Sequence, residues 1–239
     1  MSHVLFTRFA RSSIGALLLL AAMIFPAVAS AADKGVTTKL GFESAYVSYG
    51  TKFAENVVVP MFDAYSGDYY AGIWGYLPLD KDGGGYDFDG EWDFFAGRTF
   101  KLSPIVSLDL GGTLYEYPGV TVDSNTFEGF LWLNFDLPLQ PKLKLYYDFT
   151  IDNWIGEFMV SRSLELSPRT ELLVTGRAGF RRPEGSTEWY YAAATLDWVY
   201  KLNDKAQWAV GVRITDNTNN NAVGHGFRSW WGTSLAYSW

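Results

Sequence analysis

Apolar and polar residues alternate one by one along most of the chain, the period that sends successive side chains of a β-strand to opposite faces. From Gln207 to Ile214, the residues Trp208, Val210, Val212 and Ile214 share one face, while Gln207, Ala209, Gly211 and Arg213 share the other. The same spacing sets Leu143, Leu145, Tyr147 and Phe149 against Lys144, Tyr146, Asp148 and Thr150. It also sets Leu172, Val174, Ala178 and Phe180 against Thr175, Arg177, Gly179 and Arg181. After residue 32 no apolar run approaches the roughly 18 residues that a membrane helix needs. The repeated element is the strand.

A soluble sandwich would alternate in the same way, so the connections have to decide. Tight reversals occur at 66–68, 102–104, 139–141, 166–168 and 202–204, rich in the Gly, Pro, Asn and Asp that turns require. Between them lie more polar and often longer links at 51–56, 80–85, 119–125, 152–153, 182–186 and 217–224. Short links alternating with longer ones are the signature of a transmembrane β-barrel, with tight periplasmic turns and larger outer loops. About twelve strands result: 36–49, 57–65, 69–78, 86–100, 105–117, 126–137, 142–151, 154–165, 170–181, 187–200, 206–216 and 226–239. Most reach the roughly 9 to 11 residues of a tilted membrane strand. The first three are the hardest to delimit, because Val57 to Val59 is continuously apolar and Pro60 interrupts the ladder, so ten or fourteen strands stay open. The fold class expected is all-β, an antiparallel transmembrane barrel.

The two ends of the chain agree with export to an outer membrane. Arg8 and Arg11 precede the apolar run Ile14 to Phe25, and small residues follow from Ala27 to Ala32, the three parts of a secretory signal peptide. Residues 1–31 are therefore expected to be removed, leaving residues 32–239 as the barrel domain. At the other end Trp231, Thr233, Leu235, Tyr237 and Trp239 share a face. A terminal aromatic with Tyr237 and Leu235 two and four positions earlier resembles the signal by which bacterial barrels are passed to their insertion machinery.

Composition sharpens this picture. The 239 residues include 10 Trp, 15 Tyr and 17 Phe but no Cys, with 19 basic and 26 acidic residues. Mean hydropathy is only -0.03, the average of a lipid face and a water face. So many rings exclude a disordered chain, and the absence of cysteine excludes disulfides and thiol chemistry. Without residues 1–31 the formal charge becomes −9, which argues against a nucleic-acid partner. The aromatics are expected in two girdles where hydrocarbon meets water, with Tyr200 and Trp208 flanking the turn at 202–204 as part of the periplasmic one.

Four blocks occur in order between residues 38 and 120: Ala45 to Val47 followed by Tyr49 and Gly50, Tyr69 to Gly75, Glu91 to Gly97, and Leu114 to Gly119. In these blocks the chain resembles the TorF-like (Gcw_chp) family of proteobacterial porins, whose members often carry Arg before the glycine where Tyr49 stands here. The resemblance implies an outer-membrane barrel called a porin by analogy, with no substrate attached.

If the apolar phase faces lipid, the inward phase holds Asp87, Asp89, Glu91 and Asp93 on one strand, and Asp109, Glu128, Asp136, Asp148, Glu157 and Asp197 on later ones. Lys144, Arg177, Arg181, Arg213 and Arg228 oppose them. These are the candidate lumen-lining residues; Leu235, Tyr237 and Trp239 are the candidate insertion signal. About twelve strands leave a narrow lumen, in which mixed charges either set a field across a water path or pair and fill the space. The expectation is a channel for small polar or ionic solutes with a mild cation preference, against a closed structural or receptor barrel. A lipid hydrolase has less support. His225 is the one histidine after cleavage, and Ser229 sits four residues on, roughly 13 Å along a strand. The stretch Asp80 to Asp89 invites a calcium site but fails the EF-hand spacing. No cofactor or metal is expected. The expected partners are outer-membrane lipid and lipopolysaccharide, the insertion machinery and small polar solutes.

Overall fold

The computed structural model describes residues 33–80, 89–120, 124–218 and 226–239. Twelve strands follow one another: β1 (Lys34–Ser48), β2 (Thr51–Ser66), β3 (Tyr69–Pro78), β4 (Glu91–Ser103), β5 (Val106–Glu116), β6 (Asn125–Phe135), β7 (Lys142–Asp148), β8 (Asn153–Ser167), β9 (Thr170–Pro183), β10 (Trp189–Lys201), β11 (Ala206–Asn217) and β12 (Arg228–Ser238). Each pairs antiparallel with the next, and β1 closes on β12 from Thr37 opposite Ser238 to Glu43 opposite Gly232. Closure leaves no strand edge unpaired, the condition for a sheet to lie in hydrocarbon.

The alternation read from the sequence becomes outside and inside. On β7, Leu143 and Leu145 are 47% and 40% exposed, while Tyr146 and Asp148 in the other phase are 9% and 5% exposed. Leu40, Phe62, Ile73, Leu110, Leu131, Phe158, Leu196, Val212 and Leu235 continue the outward apolar surface on other strands. In water such a continuous apolar belt would drive aggregation; in a bilayer it is the solvated face. The expected signal peptide lies outside the described residues.

Strand ends depart from the sequence reading in four places. Strand β4 runs from Glu91 to Ser103 rather than 86–100, so Asp89 precedes the strand instead of lying on its inward face. Residues 51–56 are not an outer loop: the reversal uses only Tyr49 and Gly50, both at positive φ, and β2 starts at Thr51. The polar residues there resemble a loop, yet Thr51 is buried, and the register shift beside Tyr46 and Val47 leaves Phe53 as an extra residue in the ladder. Strand β6 stops at Phe135, not 137, because Pro138 and Pro141 cannot donate to a ladder, so Asp136 lies just past the strand end, its N–H donating to the Ile105 carbonyl at 2.9 Å. Strand β7 stops at Asp148, whose Oδ1 accepts the backbone N–H groups of Thr150 (2.8 Å) and Ile151 (3.2 Å) and so turns the chain. Pro60, by contrast, interrupts only the ladder with β3. It stays paired with Leu40 of β1, while on the β3 side Val59 and Pro60 drop out between Val58 opposite Leu77 and Met61 opposite Trp74, with the register unchanged.

The aromatic residues also divide differently from the girdle expectation. Trp198, Tyr200 and Trp208 do cluster at the turn end, with Trp198 5.8 Å from Tyr200 and 5.6 Å from Trp208 between ring centroids. Many tyrosines, however, point inward. Tyr46, Ala54, Val57 and Val59 form one buried cluster, and Phe130, Tyr146 and Ile155 form another. Both lie in the half of the barrel nearer the outer loops, so side chains fill that half more tightly than the turn end.

Candidate functional site

A cavity of about 820 Å³ lies inside the barrel and is lined along β1 and the reversal after it, from Thr37 near the turn end to Tyr49 at the loop end. Its wall carries seven acidic side chains, Glu43, Asp63, Glu91, Asp93, Glu128, Asp148 and Glu157, and five basic ones, Lys39, Lys144, Arg177, Arg181 and Arg213.

These charges are partly segregated. On the β7 to β11 side, Lys144 lies 3.3 Å from Glu157, and Arg213 lies 3.1 Å from Glu43 and 2.7 Å from Asp197. Glu157 also accepts the Tyr191 hydroxyl at 2.8 Å. The Arg181 guanidinium stands 5.8 Å from the Tyr49 ring and 5.4 Å from the Trp189 ring, over whose faces a cation is favoured. Arg177, four residues back on β9, lines the same wall. On the β4 to β6 side, acids are held by hydroxyls. Tyr46 donates to Glu91 at 2.7 Å and Tyr115 to Glu128 at 2.9 Å.

The loop end of this cavity is crossed by the β1–β2 reversal. In a ring of twelve, β1 and β7 stand on opposite sides. Yet the Tyr49 ring lies 6.3 Å from Tyr146 of β7 and 6.0 Å from Tyr191 of β10. Trp189 Nε1 donates to the Tyr49 carbonyl at 3.4 Å, and Asn217 Nδ2 to the Gly50 carbonyl at 2.6 Å. Gly50 is required twice over. Its φ is +79, and a Cβ there would fall 2.8 Å from Tyr191 Cβ and 2.9 Å from Asn217 Cβ.

Of the residues singled out from the sequence, Glu91, Asp93, Glu128, Asp148, Glu157, Lys144, Arg177, Arg181 and Arg213 line this cavity. Asp197 reaches it through Arg213. Asp109 is tied to the β4 and β6 walls instead, accepting from Thr99 Oγ1 at 2.5 Å and Asn134 Nδ2 at 2.9 Å. Asp136 lines a separate surface cleft at the turn end and Arg228 a cleft at the loop rim beside Ser44 and Glu55. Asp89 is exposed just before β4, against Gly119. Asp87 and His225 lie outside the described residues. Leu235 and Trp239 face outward, and Tyr237 stacks edge-on against Trp239 at 4.8 Å. The interior tyrosines were missed, although Tyr146 sits in phase with Lys144 and Asp148 and so was marked inward by the period of two. No group of three His, Cys, Asp or Glu side chains among the described residues could hold a metal ion.

A closed barrel with an apolar exterior and a charged interior defines the class: this is an outer-membrane β-barrel. Two solved porins share the fold. KdgM, in complex with disordered oligogalacturonate, superposes with a TM-score of 0.58 at 8% identity, over 86% of this chain and 99% of its own. NanC gives 0.54 at 7% identity, over 84% of this chain and 98% of its own. No family model and no curated protein matches the sequence.

Proposed function

We propose that this protein is an outer-membrane channel for the passive passage of small polar or ionic solutes, with a mild preference for cations. The observation that carries the reading is the interior cavity of about 820 Å³, whose wall holds seven acids against five bases among aromatic and small side chains. Fixed charges of both signs on a narrow water path orient solutes, and an excess of one sign enriches the opposite ion. The TorF-like resemblance of residues 38–120 and the porin fold point the same way. KdgM is seen in complex with oligogalacturonate, but a shared fold carries no ligand with it, and the acid excess here favours cations.

The reading includes a route to the membrane. Residues 1–31 direct export and are removed, and Leu235, Tyr237 and Trp239 present the completed barrel to the insertion machinery. Planar-bilayer recording of the purified, refolded barrel tests the channel. Stepwise conductance with a reversal potential on the cation side of a KCl gradient is expected; silence, or anion selectivity, overturns it.

A second reading, a barrel closed at its loop end, is favoured by the Tyr49 crossing. The same recording separates the two, since a closed barrel is silent until the crossing is removed.

A further inference from the structure

Strand β4 carries two carboxylates between two columns of rings. Glu91, Asp93 and Phe95 alternate inward on β4 and line the cavity. Asp93 is paired across the ladder with Trp74 of β3 on one side and Tyr115 of β5 on the other, and Glu91 is paired with Tyr76. Tyr76 stacks on Tyr46 at 4.1 Å and 18°, Tyr115 on Tyr117 at 6.3 Å and 8°, and Trp74 meets Phe95 edge-on at 5.0 Å.

The hydrogen bonds of this wall are unevenly met. Glu91 takes the Tyr46 hydroxyl and Glu128 the Tyr115 hydroxyl, and Trp74 Nε1 gives its proton to Asp63 at 2.8 Å. Asp93 is only 6% exposed and sits against the Glu91 carboxyl, and its Oδ1 has no other hydrogen-bond partner among the described residues. Nor does Glu91, Asp93 or Glu128 form a close ion pair within them: Lys144 and Arg213 are engaged on the far wall, and Arg181, which stands over Tyr49 and Trp189, reaches Glu91 and Glu128 only through its longer-range charge. A buried carboxylate oxygen without a donor is costly, and the chemistry that satisfies it is an N–H carried by a cation. The flanking ring faces favour the same positive charge.

From this we infer that the β3–β4–β5 wall is a binding site for organic cations bearing N–H donors, alkylammonium or guanidinium compounds, with Asp93 as the acceptor and Tyr76 and Tyr115 as flanking rings. The inference rests on the channel reading for its role, since the site would then sit on the solute path, but not for its existence. Arg177 and Arg181 on the facing wall would repel a bulkier or more highly charged cation and set an upper limit on what enters.

Two measurements on the refolded barrel keep the site and the channel apart. Titration of 1,4-diaminobutane into detergent-solubilised protein by calorimetry is expected to give saturable binding, weakened about tenfold or more in Asp93→Asn. Tetramethylammonium, which has no N–H, is expected to bind more weakly than the diamine. In bilayers the diamine is expected to interrupt the current of wild type and not of Asp93→Asn. No saturable binding, or equal binding by wild type and Asp93→Asn when both migrate as folded barrels, overturns the site. Binding that depends on Asp93 in a barrel that never conducts upholds the site and overturns the channel.

Discussion

Tyr49 is the residue whose environment departs most from its place in the sequence. It belongs to a hairpin tip, a position normally wet, but its ring sits among Tyr146, Tyr191 and Arg181. Its positive φ of 49, with Gly50 at 79, lets a two-residue turn fold inward rather than extend outward. Strained or sparsely populated backbone is kept where neighbours hold it in place, and here the holders are Trp189 and Asn217, from β10 and β11. If the tip narrows the path, Tyr49→Ala widens it: single-channel conductance should rise well above wild type, while Tyr49→Phe, which keeps the ring contacts, should leave it close to the original. Truncating a buried ring costs about 3–5 kcal/mol, so heat-modified gel mobility must show both variants folded. Equal conductance in all three proteins would remove the tip from the path. Nothing local to residues 46–50 announced this arrangement, since every partner of the tip lies roughly a hundred or more positions along the chain.

At the scale of elements, the period of two made the strands and their two faces readable, because every second residue meets a different solvent. The phase assignments on β7, β9 and β11 carry over to the structure without a change of face. Lipid exposure of Leu145, at the middle of β7, gives the direct check. Leu145→Arg should destabilise the barrel by about 2–4 kcal/mol if the site lies near the bilayer midplane, measured by urea unfolding in phospholipid vesicles. A loss indistinguishable from zero would place that face against something other than hydrocarbon. Strand ends were less legible, for identifiable reasons. Polar residues 51–56 look like a loop but belong to a strand whose inner face is itself polar, and the end of β7 is set by one carboxylate bonding two N–H groups rather than by a hydrophobic boundary.

At the scale of the molecule, closure between β1 and β12 brings the terminal residues into the wall: the Trp239 N–H donates to the Val36 carbonyl at 2.9 Å, while its ring stands outside. If Leu235, Tyr237 and Trp239 are read as an address, they act before the barrel exists. Trp239→Ala should then sharply reduce the amount of barrel reaching the outer membrane in cells, while the purified variant refolds in detergent to the wild-type yield. Equal losses in both settings would make Trp239 a structural residue only. The charge segregation inside the barrel belongs to this scale as well. Its consequence, a lumen in which Lys144 and Arg213 are paired on the β7 to β11 side while Asp93 on the β4 to β6 side forms no ion pair among the described residues, is what the diamine site depends on.

What the sequence determined by itself was the period of the strands, a count of about twelve, and which residues share each face, the charged ones among them. These are properties of spacing, because a strand alternates its side chains whatever it pairs with. What only the tertiary structure decided was that the ring closes with twelve strands, and which inward residues meet. Ring closure sets Asp93 between Trp74 and Tyr115 and carries Tyr49 across to Tyr146, and such contacts depend on ladder register and on the inward fold of one turn. The opposite walls of a barrel share no local pattern along the chain; they are joined only through space.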